Sequence, residues 1–157
     1  MGFFDKLFGG KTETESESTG NEAEPEISPE QLHMACAALL LEVAEADYKD
    51  DPKETQAILR ALESELGLKR AAVTALLDQA KAETEGATDL FPYTHLINQR
   101  CTREQKCAML TAMWRVAFAD GDLDKYEEHL IRRTTELLRL EHSDFIRAKQ
   151  AGRPKQH

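Results

Sequence analysis

Two stretches of the chain repeat one another. The sequence EVAEADYKDDPKETQAI, residues 42–58, aligns with RVAFADGDLDKYEEHLI, residues 115–131, and each places an acidic turn between an apolar segment and a capped helix start. Further along, the alignment slips by a single position, and Leu68 matches Leu140. Each unit therefore predicts an apolar central helix, an acidic turn, a second helix and a third. Two such units can bury their central helices against each other, which predicts a bundle with a pseudo-two-fold axis.

Helical signals cover residues 28–150, and no segment shows sustained alternation with a period of two. Capping boxes predict helix starts at Ser28, Thr102 and Asp124, and Gly67 predicts a helix end. The run ACAALLLEVA is apolar on most of its circumference, which is typical of a buried central helix. We expect one all-α domain of about seven helices and a frayed C-terminus over 151–157. The predicted helices cover residues 28–46, 51–66, 69–84, a short one from 91, 102–119, 124–138 and 142–149.

Composition narrows the class of protein. A chain of 157 residues, 41% hydrophobic and 31% charged, is suited to a soluble globular domain. Its net charge of −9 gives no basic footprint, which disfavours nucleic-acid binding. Cys36, Cys101 and Cys107 cannot all pair with one another, and no signal peptide or membrane-spanning apolar run is evident. We therefore expect a reducing cytoplasm, with the thiols acting as small buried hydrophobes.

Residues 1–27, which we call the tail, differ from the rest of the chain. Phe3, Phe4, Leu7 and Phe8 would share one face of a short amphipathic helix within residues 1–10. This segment resembles the membrane-tethering helix at the start of the bacterial glucose-specific phosphocarrier protein. Residues 11–27 are rich in Thr, Glu and Ser and predict a disordered acidic linker. Two interpretations remain open: a frayed tail, or weak contact of residues 3–8 with a membrane surface or a partner.

The acidic turn of the second unit contains more carboxylates than helix capping requires. Asp124 and Glu127 stand at the N-cap and N3 positions of a capping box. Capping does not explain Asp120 and Asp122, whose repulsion must be offset by solvent or by a hard cation. The spacing is not that of an EF-hand, because Lys125 occupies the position that requires glycine. Solvated acids and an oxygen-ligated cation of the Ca²⁺, Mg²⁺ or Mn²⁺ kind both remain open.

The motif ADGDLDKYEEHLI after an apolar helix, with its degenerate copy AEADYKDDPKETQAI upstream, resembles the tellurite-resistance TerB family over residues 29–150. The resemblance implies a compact all-α cytoplasmic domain of bacteria, linked to tellurite and general stress resistance, with metal bound at the acidic turns. Tyr48 and Asp50 depart from the family pattern at the glycine and leucine positions of the first turn. The implied ligands are Asp120, Asp122, Asp124 and Glu127, with Asp47, Asp51 and Glu54 as a weaker or vestigial counterpart.

Two functions follow as hypotheses, beside the possibility of a plain structural domain that binds no ion. The first is a non-enzymatic module that acts through protein partners in tellurite or general stress resistance and binds a divalent cation. The second is a metal-dependent, hydrolase-like enzyme that uses the clustered carboxylates. The histidines are scattered and the cysteines lack zinc spacing, so we expect no zinc or redox centre. Trp114, at helical spacing from Leu110 and Phe118, is expected in the core.

Overall fold

Seven α-helices make up most of the described part of the chain, which in this computed structural model comprises residues 28–46, 52–85, 89–119 and 123–154. No strand occurs among these residues, which confirms the predicted all-α fold of about seven helices. The segment 1–10 and the linker 11–27 lie outside the described residues. The helices are α1 (Pro29–Glu45), α2 (Pro52–Leu66), α3 (Arg70–Thr84), α4 (Phe91–Arg100), α5 (Arg103–Phe118), α6 (Lys125–Leu137) and α7 (His142–Gly152).

Side-chain caps set the helix boundaries. The Ser28 hydroxyl accepts a hydrogen bond from the Gln31 N–H at 3.1 Å, and the Gln31 side chain accepts one from the Ser28 N–H at 2.9 Å. Thr102 and Gln105 form the same reciprocal pair at the start of α5. Gly67 has a φ of 69°, the left-handed conformation that ends a helix. The predicted starts are therefore correct, whereas α7 runs to Gly152 rather than residue 149.

Helix α1 is the centre of the bundle. Eleven of its 17 residues are buried, as its nearly uniform apolar pattern predicts. It contacts α2, α3, α4, α5 and α6, so most of the core forms around it. The contact between α1 and α5 is the one expected of the two central helices. No helix in the described part of the chain is both long enough and apolar enough to cross a membrane.

Helices α5 and α7 approach each other closely at one residue. An ideal Cβ built on Gly152 would lie 2.6 Å from the Trp114 Cβ and 2.9 Å from the Thr111 carbonyl oxygen of α5. The fully buried Trp114 ring packs edge-on against Phe145 of α7, with ring centroids 5.3 Å apart. A residue without a side chain at 152 therefore lets α7 lie directly on α5. Trp114 belongs to the core, as expected.

The turn after α6 holds a non-glycine residue in the left-handed conformation. Arg139 has a φ of 61°, and the next N–H, that of Leu140, donates to the Thr135 carbonyl oxygen at 3.0 Å. Two side chains from other helices satisfy the neighbouring carbonyls. Lys106 donates to the Leu138 oxygen at 3.2 Å, and Asn98 donates to the Leu137 oxygen at 2.8 Å.

The described halves of the chain match in several local features. α1 and α5 both end at an alanine of nearly identical conformation, Ala46 with φ −66° and ψ −28°, and Ala119 with φ −64° and ψ −31°. The contacts between halves are reciprocal, because α2 contacts α5 while α6 contacts α1. Helix α4 has no counterpart, and it packs on α1 and α6. The pseudo-two-fold axis stays a prediction.

Candidate functional site

Three of the seven predicted carboxylate ligands are described by the structure, namely Glu54, Asp124 and Glu127. The other four, Asp47, Asp51, Asp120 and Asp122, lie outside the described residues. No group of three or more His, Cys, Asp or Glu side chains within the described ranges is arranged to hold a metal ion. Any cation site at the acidic turns therefore needs carboxylates from residues 47–51 or 120–122.

Asp124 and Glu127 form the predicted capping box at the start of α6. The Asp124 carboxylate accepts a hydrogen bond from the Tyr126 N–H at 2.7 Å. One Glu127 oxygen accepts from the Asp124 N–H at 3.1 Å, which completes the reciprocal pair. Both acids thus satisfy backbone donors that the helix itself leaves unbonded. The capping part of the acidic-turn hypothesis is confirmed for this helix.

The structure places Glu54 and Glu127 in the interior, which the sequence did not predict. Their relative exposures are 1% and 0%. Each is the third residue of its helix, so the two stand at corresponding positions in α2 and α6. A carboxylate at this depth requires polar partners, because an uncompensated buried charge is very costly. Of the three described candidates, only Asp124 is partly accessible to solvent.

A cleft of about 890 Å³ opens between the end of α1, the end of α3 and the start of α6, and we call it the α1/α6 cleft. Three of its residues are acidic, two are basic and one is a histidine. Burial and the nearby Glu45 carboxylate raise the pKa of Glu42. The lining residues are Glu42, Glu45, Ala46, Lys81, Ala82, Thr84, Glu85, Tyr126, His129, Leu130 and Arg133.

A second concavity, of about 760 Å³, runs between α2, the end of α5 and the end of α7, and we call it the α2/α5 groove. Four of its residues are basic and one is acidic. Its lining residues are Pro52, Lys53, Gln56, Ala57, Arg60, Ala61, Ser64, Glu65, Arg115, Phe118, Ala119, Ala151, Gly152, Arg153 and Pro154.

The two acidic turns connect these two concavities. The first turn leaves α1 at Ala46, which lines the cleft, and re-enters at Pro52, which lines the groove. The second turn leaves α5 at Ala119 in the groove and re-enters near Tyr126 in the cleft. The flanks of both turns therefore lie at the same end of the bundle. A sequence reading could not have found this, because it depends on how four helix ends meet.

An ion pair between the exposed Arg103 of α5 and the buried Asp144 of α7 was not predicted. One Arg103 nitrogen donates to both Asp144 carboxylate oxygens, at 2.9 and 3.0 Å, and the Asp144 side chain is inaccessible to solvent. Burial alone would raise the pKa of Asp144, but hydrogen bonds from the Glu141 N–H, Arg103 and Cys107 hold it below its ordinary value. The spacing of Glu141 and Asp144 indicates a capping box for α7, but it gives no sign of the contact with Arg103.

The cysteines and histidines show no reactive arrangement in the described part of the chain. Cys36 is buried as expected, whereas Cys101 and Cys107 are only half-buried. Burial raises the pKa of Cys101 to about 12, so its thiol stays protonated at neutral pH. His95 and His142 stack on Phe91 and Phe145, and the other described histidines do not join a metal-binding group.

The fold and the paired acidic turns define an all-helical domain built of two similar halves in sequence. A sequence model described as tellurite resistance protein TerB matches residues 33–150, and the chain belongs to that family. No curated protein matches the chain. Among solved structures, the chain is similar to a protein of unknown function from Porphyromonas gingivalis, with a TM-score of 0.59 and 20% identity over 85% of this chain and 99% of that one. That likeness concerns the fold alone.

Proposed function

We propose that this TerB-family chain is a non-enzymatic module of the bacterial cytoplasm that acts through protein partners in tellurite or general stress resistance. Its two acidic turns share one divalent cation of the Ca²⁺, Mg²⁺ or Mn²⁺ kind. Residues 3–8 add weak contact with the inner face of the membrane. The membership of the family supports the cellular role, and the arrangement of the helix ends supports the cation.

The observation that carries the cation proposal is the common location of the four turn flanks. Ala46 and Tyr126 line one concavity, and Pro52 and Ala119 line the other. Carboxylates attached to these flanks start from the same end of the bundle. Hard cations such as Ca²⁺ take six to eight oxygen ligands. The carboxylates of both turns together offer more oxygens than those of either turn alone.

Some carboxylates of the turns cap the helix, and the others remain for a cation. Glu127 uses one oxygen for the Asp124 N–H, and Asp124 uses one for the Tyr126 N–H. A carboxylate offers about four lone-pair sites on two oxygens, so a capping Asp124 still has an oxygen for a cation. Asp120, Asp122 and Asp47 are not part of the cap formed by Asp124 and Glu127. We assign the cation chiefly to these three, together with Asp124.

The test is a titration of the full-length, ¹⁵N-labelled chain with Ca²⁺, Mg²⁺ and Mn²⁺, followed on the backbone amides. We expect saturable shifts confined to residues 46–54 and 119–128, with one apparent dissociation constant for both turns. Asp122→Asn should weaken binding at both turns together, whereas Asp78→Asn, at an exposed position of α3, should leave it unchanged. The absence of a localised shift at millimolar ion would overturn the cation proposal. Different dissociation constants for the two turns would overturn the proposal that they share one cation.

The partner proposal has its own experiment. The immobilised chain, incubated with a lysate of the source cell, should retain a specific protein in the presence of the cation. It should release that protein when a chelator is added. Asp122→Asn should retain less of the same protein. A partner that is retained equally by the variant and in chelator would separate partner binding from the cation.

The alternative function, a metal-dependent hydrolase, is favoured by one observation. The α1/α6 cleft is concave and brings Glu42, whose pKa is raised by burial, to the same surface as His129. A raised carboxyl pKa is suited to general acid–base catalysis near neutral pH. Hydrolysis of p-nitrophenyl esters or phosphates by the Mn²⁺-loaded chain, lost in Glu42→Gln, would favour this function over the module.

A further inference from the structure

The α2/α5 groove combines a basic rim with an apolar floor. Its charged residues are Lys53, Arg60, Arg115 and Arg153 against the single acid Glu65, a net charge of +3 in a chain whose overall charge is −9. The three arginines are exposed. Such a concentration of one sign of charge in a concave surface attracts an oppositely charged ligand.

The floor of the groove is made by small and aromatic residues. Ala57 and Ala61 of α2 face the half-buried Phe118 across it, and Gly152 contributes no side chain. The Phe118 ring stacks on Trp114 below, with centroids 5.6 Å apart. The Arg153 guanidinium lies over the Phe118 ring, 5.9 Å from its centroid, so a cation borders the apolar floor. A ligand that fits needs apolar anchors and acidic groups in one segment.

Comparison with the α1/α6 cleft shows that these features are specific to the groove. The two concavities are lined in part by positions that correspond in the sequence repeat. Glu42 of the cleft aligns with Arg115 of the groove, and Glu45 of the cleft aligns with Phe118 of the groove. Two carboxylates of the cleft are thus replaced by a guanidinium and an aromatic ring. The groove has the composition of a receptor for an acidic, aromatic segment.

We propose that the occupant of the α2/α5 groove is the tail of the same chain. Phe3, Phe4, Leu7 and Phe8 supply the apolar anchors, and the six glutamates of residues 13–26 supply the acidic groups. Residues 1–26 have a net charge of −5, seven acids against two lysines, which complements the groove. The anchors lie on Ala57, Ala61 and Phe118, and the glutamates face the arginines.

The length of the linker and the high effective concentration of an attached segment favour the tail over a free partner as the occupant of the groove. Residues 10–27 can span up to ~60 Å when extended, and a domain of this size has a radius of gyration of only roughly 14 Å. The anchors can therefore reach any point on the domain surface. Attachment through a short linker gives an effective concentration on the order of millimolar, so even weak contacts keep the groove occupied.

The test uses the full-length chain labelled with 4-fluorophenylalanine, because its six phenylalanines report on both sides of the contact. Phe3, Phe4 and Phe8 report on the tail, Phe118 reports on the groove, and Phe91 and Phe145 serve as references. We expect Lys53→Glu with Arg60→Glu to shift the ¹⁹F signals of the tail and of Phe118 together, and the reference signals much less. A rise to 0.5 M NaCl should shift the same signals in the same direction, since salt screens exposed charges.

A matched control comes from the cleft. Arg133 and Lys81 are the two basic residues that line the cleft. Arg133→Glu with Lys81→Glu therefore makes the same change of charge in the other concavity, and it should leave the tail signals in place. Equal effects of the cleft and groove variants overturn the proposal.

The reverse experiment alters the tail and observes the groove. Phe3→Ser, Phe4→Ser and Phe8→Ser together should move the Phe118 signal to its position in the groove variant. A fixed Phe118 signal in this tail variant overturns the proposal. A Phe118 shift that depends on protein concentration overturns it too, because it indicates a second copy of the chain in the groove.

Discussion

Replacement of Gly152 by alanine should destabilise the protein, although alanine is the better helix former. Gly152 is the last residue of α7, and its α-carbon faces Trp114 and Thr111 of α5. A new Cβ would stand 2.6 Å from the Trp114 Cβ, 2.9 Å from the Thr111 carbonyl oxygen and 3.2 Å from the Arg115 nitrogen. Two of these neighbours are backbone atoms and the third is bonded directly to backbone. None of them can rotate away.

The expected magnitude follows from this geometry. Carbon atoms in contact prefer about 3.5–4.0 Å, so α7 must move by roughly 1 Å from α5. Overpacking of this kind costs about 1–3 kcal/mol, and the helix propensity of alanine offsets at most about 1 kcal/mol. We expect a net loss of about 1–2 kcal/mol. For a domain of this size that corresponds to a fall in melting temperature of roughly 3–10 °C.

The assay is urea unfolding and thermal melting of the wild type and Gly152→Ala, followed by circular dichroism. Ala151→Gly, at the preceding, exposed position, measures the propensity difference at this end of α7 without the steric contact. The steric argument requires Gly152→Ala to be less stable than the wild type. An unchanged or raised stability would refute it, because only propensity would then act at this residue.

Four further results are expected. Asp124→Ala should reduce the free energy of unfolding by about 1 kcal/mol, and Asp124→Asn, which still accepts from the Tyr126 N–H, should not. Because the pKa of Asp144 is lowered, its contribution to stability is present at neutral pH and is lost as the pH falls through that lowered pKa. In urea unfolding at a series of acidic pH values, the free energy of unfolding of Asp144→Asn should therefore fall less with decreasing pH than that of the wild type. Arg139→Gly should raise stability by up to about 1 kcal/mol by relieving the left-handed φ of 61°. Arg60→Glu should increase co-sedimentation with lipid vesicles, since a released tail exposes residues 3–8. An unchanged co-sedimentation would show that release from the groove does not lead to membrane contact.

Most of the fold was predictable because its boundaries are set by local chemistry. Ser28 with Gln31, Thr102 with Gln105 and Asp124 with Glu127 each fix a helix start within a single turn of sequence. The apolar circumference of α1 likewise indicates a central position without knowledge of its neighbours. Such signals need no information from distant parts of the chain, and the structure agrees with them.

The site was less predictable because its properties depend on contacts between distant residues. The N3 positions of Glu54 and Glu127 were evident, but their burial depends on which helices cover those faces. The pair Arg103 and Asp144 is far apart in the chain, and no local pattern links the two residues. The charge of the α2/α5 groove comes from α2, α5 and the residue that follows α7, and the basic residues of each segment alone do not indicate it.

Each acidic turn begins in one concavity and ends in the other, and this has a thermodynamic consequence. A cation held by the turns and a peptide held by the groove share the helix ends at Pro52 and Ala119. If the cation alters the occupancy of the groove by some factor, linkage requires the groove ligand to alter the cation affinity by the same factor. The ion concentration would then change the occupancy of the groove by the tail. Calorimetry of cation binding to chains with intact and charge-reversed grooves would give the coupling free energy directly.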